Sequence, residues 1–207
     1  MSVDFTKIEM KHSRSDTVHG AIYSFEGRKV VKIGFPIVQY ILIDSFSTLI
    51  YNPGERAGVQ IRRKNITFLP FFQTFIGFFQ GDKAFPLMHL RILASTKNKD
   101  TLRTRLVPED KSSRFHGFFE MVYCNDVPIS VGTYDKKEKL LSQMQFSCDT
   151  IIAHHHVPLR IKTVTINNAD TMLEDVTFHG VKIRDTVPGD VRDFKIPADV
   201  PVRVVEW

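Results

Sequence analysis

Short runs that alternate apolar and polar side chains constrain the fold of this 207-residue chain more than any other feature. Such alternation is typical of a half-buried β-strand, because successive side chains of a strand point to opposite faces. It is found in Val59–Arg63 and in residues 156–167. The runs Ala21–Phe25 and Val30–Phe35 flank Glu26-Gly27-Arg28-Lys29, which predicts a hairpin. Most of the chain is therefore predicted to be β-structure.

Two later segments complete the strand prediction, and a third is predicted to be a loop. In residues 115–123 the alternation places Glu120 and His116 on one face and an apolar set on the other, and that set is Phe115, Phe119, Met121 and Tyr123. Residues 196–207 contain two prolines and suit an edge strand or a strapped tail. Residues 96–114 are rich in basic and other polar side chains and are predicted to be a long exposed loop.

One segment has helical spacing. Residues 68–79 contain six phenylalanines, and their apolar positions form a single stripe, which predicts an amphipathic helix over 68–80. A stripe of this kind favours a helix that packs on the core. The remaining aromatic surface leaves open a lipid or self-association contact through Phe75, Phe78 and Phe79.

These elements predict an α+β fold, in which one or two amphipathic helices pack on an antiparallel sheet. No internal repeat and no Pro/Ser-rich linker divides the chain, so residues 20–207 are expected to form a single β-rich domain. Residues 1–19 are polar and are expected to form a mobile N-terminal arm.

The location of the protein is predicted from its apolar segments, its first residues and its cysteines. No window of about 18 residues is apolar and free of charge, so no membrane-spanning helix is expected. The first residues have neither an apolar signal core nor a myristoylation motif, and the two cysteines are too few for a disulfide framework. A protein kept in a reducing compartment, and not secreted, is expected.

No recognisable catalytic pattern is found. His154, His155 and His156 lack a further ligand at metal-binding spacing, so we expect no metal site. Cys124 and Cys148 have apolar neighbours and are expected to be buried, inert thiols. No glycine-rich phosphate loop, paired carboxylates or Ser/His/Asp signature occurs, so we expect no enzymatic activity and no cofactor.

Charge is unevenly distributed and indicates a polyanionic partner. Residues 1–104 carry 15 basic and 8 acidic side chains, whereas residues 105–207 carry 13 and 15. Two basic clusters are candidate sites for an anionic membrane or a nucleic acid. They comprise Arg56, Arg62, Arg63 and Lys64, followed by Lys97, Lys99, Arg103, Arg105, Lys111 and Arg114.

The order of segments between residues 56 and 125 resembles the core of rhabdovirus matrix proteins, including those of plant-infecting members. A strand ends in basic residues at Lys64, and the aromatic stripe 68–79 follows. A Gly-x-Lys-x-x-Pro turn then leads to the strand-like run LMHLRILAS and the aromatic strand 115–123. The resemblance does not cover residues 126–207, and neither a basic N-terminal arm nor a proline-rich budding motif is found.

This resemblance implies a viral structural protein of the virion. It would self-associate as a homo-oligomer, bind anionic membrane lipids and viral nucleocapsid or RNA, and condense the nucleocapsid for assembly and budding. Its expected location is the virion and the host-cell cytoplasm or inner membrane face. Two alternatives stay open. One is a nucleic-acid-binding viral movement-type protein, and the other is an intracellular β-sandwich adaptor, suggested by the alternation in residues 157–184.

Overall fold

The computed structural model describes residues 1–44, 47–62, 90–109, 115–152, 154–167, 170–183 and 186–206. These residues form fourteen β-strands, and the helix among them is the single turn Gly189–Arg192. The predicted α+β class is therefore wrong, since the structure is nearly all β. The helix predicted over 68–80 lies outside the described residues. No helix in the described ranges has the length and apolar character needed to cross a membrane.

The strands belong to one hydrogen-bonded sheet. In chain order they are β1 (Ser2–Lys11), β2 (Arg14–Phe25), β3 (Arg28–Phe35), β4 (Gln39–Ile43), β5 (Ser47–Asn52), β6 (Ala57–Arg62), β7 (Leu90–Asn98), β8 (Thr101–Pro108), β9 (Phe118–Cys124), β10 (Val127–Tyr134), β11 (Leu140–Ile152), β12 (His155–Asn167), β13 (Asp170–Lys182) and β14 (Val202–Glu206). Their order in the sheet is β14-β6-β5-β4-β3-β2-β1-β13-β12-β11-β10-β9-β8-β7.

The described chain divides into two compact units. The first comprises described residues within 1–7, 17–65 and 177–207, and the second comprises those within 8–16 and 66–176. The predicted arm, residues 1–19, coincides with β1 and the start of β2. Its mobility, and the assignment of residues 20–207 to a single domain, stay predictions.

In the first unit, successive antiparallel hairpins join β2 through β6. Strands β2 and β3 pair from Phe25↔Arg28, next to the turn, to His19↔Phe35, which confirms the hairpin predicted around Gly27. The turn residue Gly27 has φ +74°, a left-handed conformation that glycine adopts without steric cost. β14 lies parallel to β6 at the end of the sheet, so the last segment is an edge strand as predicted. The core of this unit includes Val3, Ile22 and Phe178.

In the second unit, β7 to β12 form an antiparallel meander in which each strand pairs with the next. One core cluster contains Leu90, Leu106 and Phe119, and Phe115 and Met121 pack against it. The predicted loop 96–114 is instead largely the β7–β8 hairpin, which turns at Lys99 and Asp100. Its polar composition concealed the strands, because residues 96–98 lie exposed on β7 and the arginines of β8 form ion pairs with carboxylates of other elements.

Candidate ligand-binding face

Cross-strand register gives the sheet of the second unit two chemically different faces. Residues directly opposite each other on neighbouring strands share a face. Thr104 pairs with Met121, Met121 with Val131, Val131 with Met144, and Met144 with Thr163. This row crosses the five strands β8 to β12 on one side of the sheet and contains no charged side chain.

Neighbouring rows extend the same side, which we call the apolar face. Leu106 pairs with Phe119, and Phe146 pairs with Ile161. The apolar face comprises Leu102, Thr104, Leu106, Phe119, Met121, Tyr123, Val131, Thr133, Ser142, Met144, Phe146, Ile161, Thr163 and Thr165. Ile161 is fully buried, and Met144 and Phe146 are less than a tenth exposed. The face is therefore extended, largely shielded from solvent and free of ionised groups.

Four hydroxyl groups on this side are paired with one another. The hydroxyls of Ser95 and Thr104 lie 3.2 Å apart, and those of Ser142 and Thr165 lie 3.3 Å apart. No buried side-chain nitrogen or oxygen of the described residues lacks a hydrogen-bond partner. These four paired hydroxyls do not need water, so an apolar ligand could contact them without leaving them unpaired.

The opposite side, which we call the charged face, carries the ionised groups of the same strands. Arg103 donates to Glu120 at 3.1 Å, and Arg105 donates to Glu120 at 3.4 Å and to Glu138 at 3.2 Å. The Arg105 guanidinium also lies 4.6 Å above the ring of Phe118. These contacts satisfy the two arginines within the protein.

A groove of about 370 Å³ lies on the charged face. Its lining residues are Ile129, Ser130, Gln143, Gln145, Ser147, Arg160 and Lys162, together with Phe146, which the register assigns to the apolar face. Arg160 donates two hydrogen bonds to Asp175, at 2.8 Å and 2.6 Å, and Lys162 lies 4.0 Å from the same carboxylate. The hydrogen bond from Arg160 and the two positive charges lower the pKa of Asp175. The cations of the groove are therefore engaged by a neighbouring carboxylate.

The predicted basic sites are only partly brought together. Lys97, Lys99, Arg103 and Arg105 lie in one hairpin, β7–β8, of the second unit. In the first unit, Arg56 pairs with Asp199, and Arg62 lies 3.9 Å from Glu206. Arg63, Lys64, Lys111, Arg114, Phe75, Phe78 and Phe79 lie outside the described residues. A binding role for the basic residues and for these phenylalanines stays a prediction.

The histidine triplet and the cysteines do not form a reactive site in the described chain. His156 lies 3.3 Å from Asp149 through its Nδ1 atom. Within the described ranges, no group of three or more His, Cys, Asp or Glu side chains is placed to hold a metal ion. Cys148 is exposed and Cys124 is half-buried, so the prediction of two buried thiols is wrong. Cys148 has φ +56° and comes after the stretch of β11 in which buried and more exposed residues alternate. Its side chain is exposed and lies outside the core.

The apolar face was missed by sequence reasoning, although the chain carries a signal for it. Residues 142–146 read Ser-Gln-Met-Gln-Phe, and their burial alternates between buried and more exposed positions. This run has the same period-two pattern as the strands that were predicted. Only cross-strand register could show that it aligns with Met121 and Ile161 on one side of a sheet.

Comparisons with known proteins show the fold. A LolA-superfamily protein from Nitrosomonas europaea has a TM-score of 0.63 and 16% identity, covering 92% of this chain and 88% of that one. A domain named for outer membrane lipoprotein sorting, from Vibrio parahaemolyticus, has a TM-score of 0.65, 13% identity and coverages of 91% and 87%. A DUF1329-family protein from Desulfovibrio piger has a TM-score of 0.62 and 9% identity, covering 91% of this chain and 87% of that one. No family model and no curated protein sequence matches the chain.

These likenesses overturn the viral interpretation. The fold is shared with bacterial proteins of the LolA superfamily and related groups, so the resemblance to rhabdovirus matrix proteins is wrong. The matrix function and the virion or host-cytoplasm location inferred from it are wrong as well, as are the partners: anionic membrane lipids, nucleocapsid or RNA, and a homo-oligomer. The movement-type and β-sandwich-adaptor alternatives have no support in these likenesses. Most of the segments that carried the resemblance, residues 63–89, lie outside the described residues.

Proposed function

We propose that this chain is a carrier that binds a lipid or a lipidated protein through its acyl chains, without catalysing a reaction. The observation that carries the proposal is the apolar face, which crosses five strands without an ionised side chain. The fold shared with a domain named for outer membrane lipoprotein sorting supports a lipoprotein as the cargo. Because one fold serves many functions, the fold alone would not suffice.

The energetics of an acyl chain fit such a face. Burial of one methylene group contributes about 0.8 kcal/mol, so ten methylenes in contact with the face would contribute roughly 8 kcal/mol before the costs of association. Met121 and Met144 lie in the central row. Methionine is unbranched and polarisable, and it adapts to flexible apolar ligands of different shapes. A carrier that loads and releases acyl chains benefits from such a lining.

Binding of a palmitoylated lipopeptide to the purified chain tests the proposal. Fluorescence anisotropy of a labelled lipopeptide is measured against the same peptide without its acyl chains. Met121→Gln places a polar group of similar length on the half-buried centre of the apolar face. The matched control, Gln145→Met, makes the reverse change on the charged face. Thermal unfolding of each variant, followed by circular dichroism, confirms that it is folded.

We expect the lipopeptide to bind and the unacylated peptide not to bind. Met121→Gln should weaken binding at least tenfold, whereas Gln145→Met should leave it unchanged. If the lipopeptide does not bind, or if folded Met121→Gln binds as well as the unchanged chain, the carrier proposal is wrong.

A further inference from the structure

β7 ends the sheet. It pairs with β8 along its whole length, from Leu90↔Pro108 to Asn98↔Thr101. No strand of the described chain pairs with its other edge. A strand in this position presents a row of backbone N–H and C=O groups to which a further extended chain can bond.

Most side chains of β7 are exposed to solvent. Eight of its nine residues are exposed, including Ile92 at 61% and Leu93 at 55%. Natural edge strands are commonly protected by bulges and lysines. In β7 the pairing with β8 shifts register between Ile92 and Ala94, and Ala94–Asn98 then pairs regularly with β8. Three small side chains in that regular stretch, Ala94, Ser95 and Thr96, leave room for an incoming strand.

Charge on this edge indicates what kind of segment it accepts. Arg91, Lys97 and Lys99 form no salt bridge with another residue of the described chain. On the neighbouring strand, by contrast, Arg103 and Arg105 both pair with Glu120, and Arg105 also pairs with Glu138. Within the described ranges, the edge therefore carries positive charge that no salt bridge offsets, which attracts an acidic partner and repels a basic one.

We propose that β7 binds an extended, acidic peptide segment of a partner protein as an additional strand of the sheet. Backbone hydrogen bonds to Ala94–Asn98 supply affinity, Ile92 and Leu93 contact apolar side chains of the segment, and the basic residues select acidic ones. This surface is separate from the apolar face, and its use does not depend on whether the chain carries lipids.

The probe is a fluorescein-labelled nine-residue peptide, Thr-Glu-Val-Glu-Thr-Glu-Val-Glu-Thr, titrated with the full chain and followed by anisotropy. A second peptide has lysine in place of glutamate. A third has two adjacent central residues N-methylated, which removes a backbone donor from each of its edges. Hydrogen exchange of the β7 amides, with and without the first peptide, reports where it binds.

Two pairs of variants match the features that the proposal uses. Lys97→Glu reverses a charge on the edge, and Lys137→Glu makes the same change in the exposed turn between β10 and β11. Ile92→Lys alters an exposed apolar side chain of the edge, and Ile151→Lys alters one on β11 that is 65% exposed. All four positions are exposed, so the variants should fold.

We expect the acidic peptide to bind, with affinity that falls as salt rises, and to slow exchange of the β7 amides. Lys97→Glu and Ile92→Lys should each weaken binding about tenfold, and their controls should not. Equal binding of the N-methylated peptide would reduce the contact to charge attraction and overturn strand addition. Absence of binding overturns the proposal, as does self-association of the chain through β7 that excludes the peptide, since the occupant would then be a second copy.

Discussion

Arg160 holds Asp175 in a two-pronged contact, with Nε 2.8 Å from Oδ1 and Nη2 2.6 Å from Oδ2. The two residues lie on strands β12 and β13, which are neighbours in the sheet. A planar guanidinium that meets both oxygens of a carboxylate is the favourable geometry for an ion pair. The contact therefore couples the two strands on the charged face, and it makes stability depend on pH.

The pKa of Asp175 is lowered in the folded protein, chiefly by the hydrogen bond from Arg160. A lowered folded-state pKa stabilises the protein fully above the unfolded-state value, which is about 3.9, and this stabilisation is lost as the pH falls through the folded-state pKa. Asp175→Asn should cost about 1 kcal/mol at pH 7 and less at pH 3, as measured by urea unfolding. Asp126→Asn, in an exposed turn, is the control. A cost that is the same at both pH values would contradict the prediction.

Gly117 is required by the close approach of another backbone segment. A Cβ atom at this position would overlap the carbonyl oxygen of Tyr134 and lie 2.7 Å from the ring of Phe115. Backbone cannot move aside as a side-chain tip can, so Gly117→Ala should destabilise the protein by about 3 kcal/mol or more. In Gly34→Ala the added Cβ meets no atom within 4 Å, and the urea midpoint should hardly change. Similar urea midpoints for the two variants would show that the backbone at Tyr134 does not lie close to Gly117.

Leu106 is the centre of the core cluster in the second unit. It is 1% exposed and packs with Leu90 and Phe119. Leu106→Ala should leave a cavity and cost about 2–5 kcal/mol, measured from the midpoint of urea unfolding. Leu93→Ala removes the same atoms from a side chain that is 55% exposed and should change stability by less than about 0.5 kcal/mol. Equal losses at the two positions would mean that the cluster is not a core.

The sequence allowed individual strands to be predicted where alternation and turn chemistry agree. The hairpin around Gly27 is confirmed, as are the two faces predicted for 115–123 over residues 118–123, since Phe119 and Met121 lie on the apolar face and Glu120 on the other; Phe115 and His116 precede the strand. The β7–β8 hairpin was missed because the arginines of β8 form ion pairs on the charged face, whereas sequence reasoning took such charge to indicate a loop.

The candidate site could not be predicted in the same way, because it depends on register between strands. Nothing local indicates that Met121, Val131 and Met144 align across three strands. A shift of one residue would move each of them to the charged face. Sequence could not show which cations are paired for a related reason: Arg103 and Arg105, which belong to a predicted basic cluster, both pair with Glu120 on the adjacent strand.

Phe194 anchors the C-terminal segment of the first unit to its sheet. Its ring stacks on Tyr40, with centroids 4.2 Å apart, and is tilted against Tyr51 at 5.8 Å. The segment continues into β14, whose parallel pairing with β6 forms the end of the sheet. Loss of the ring removes both aromatic contacts, so Phe194→Ala should cost about 2 kcal/mol and loosen β14.

Hydrogen exchange of the β14 amides measures this effect separately from global unfolding. In Phe194→Ala these amides should exchange at least tenfold faster, while amides of the second unit are little changed. Phe35→Ala is the matched control, because that ring is 52% exposed and should contribute little to the pairing of β14. Unchanged exchange of β14 in Phe194→Ala would mean that the strand is held by its backbone bonds to β6, and that the aromatic stack only covers the sheet.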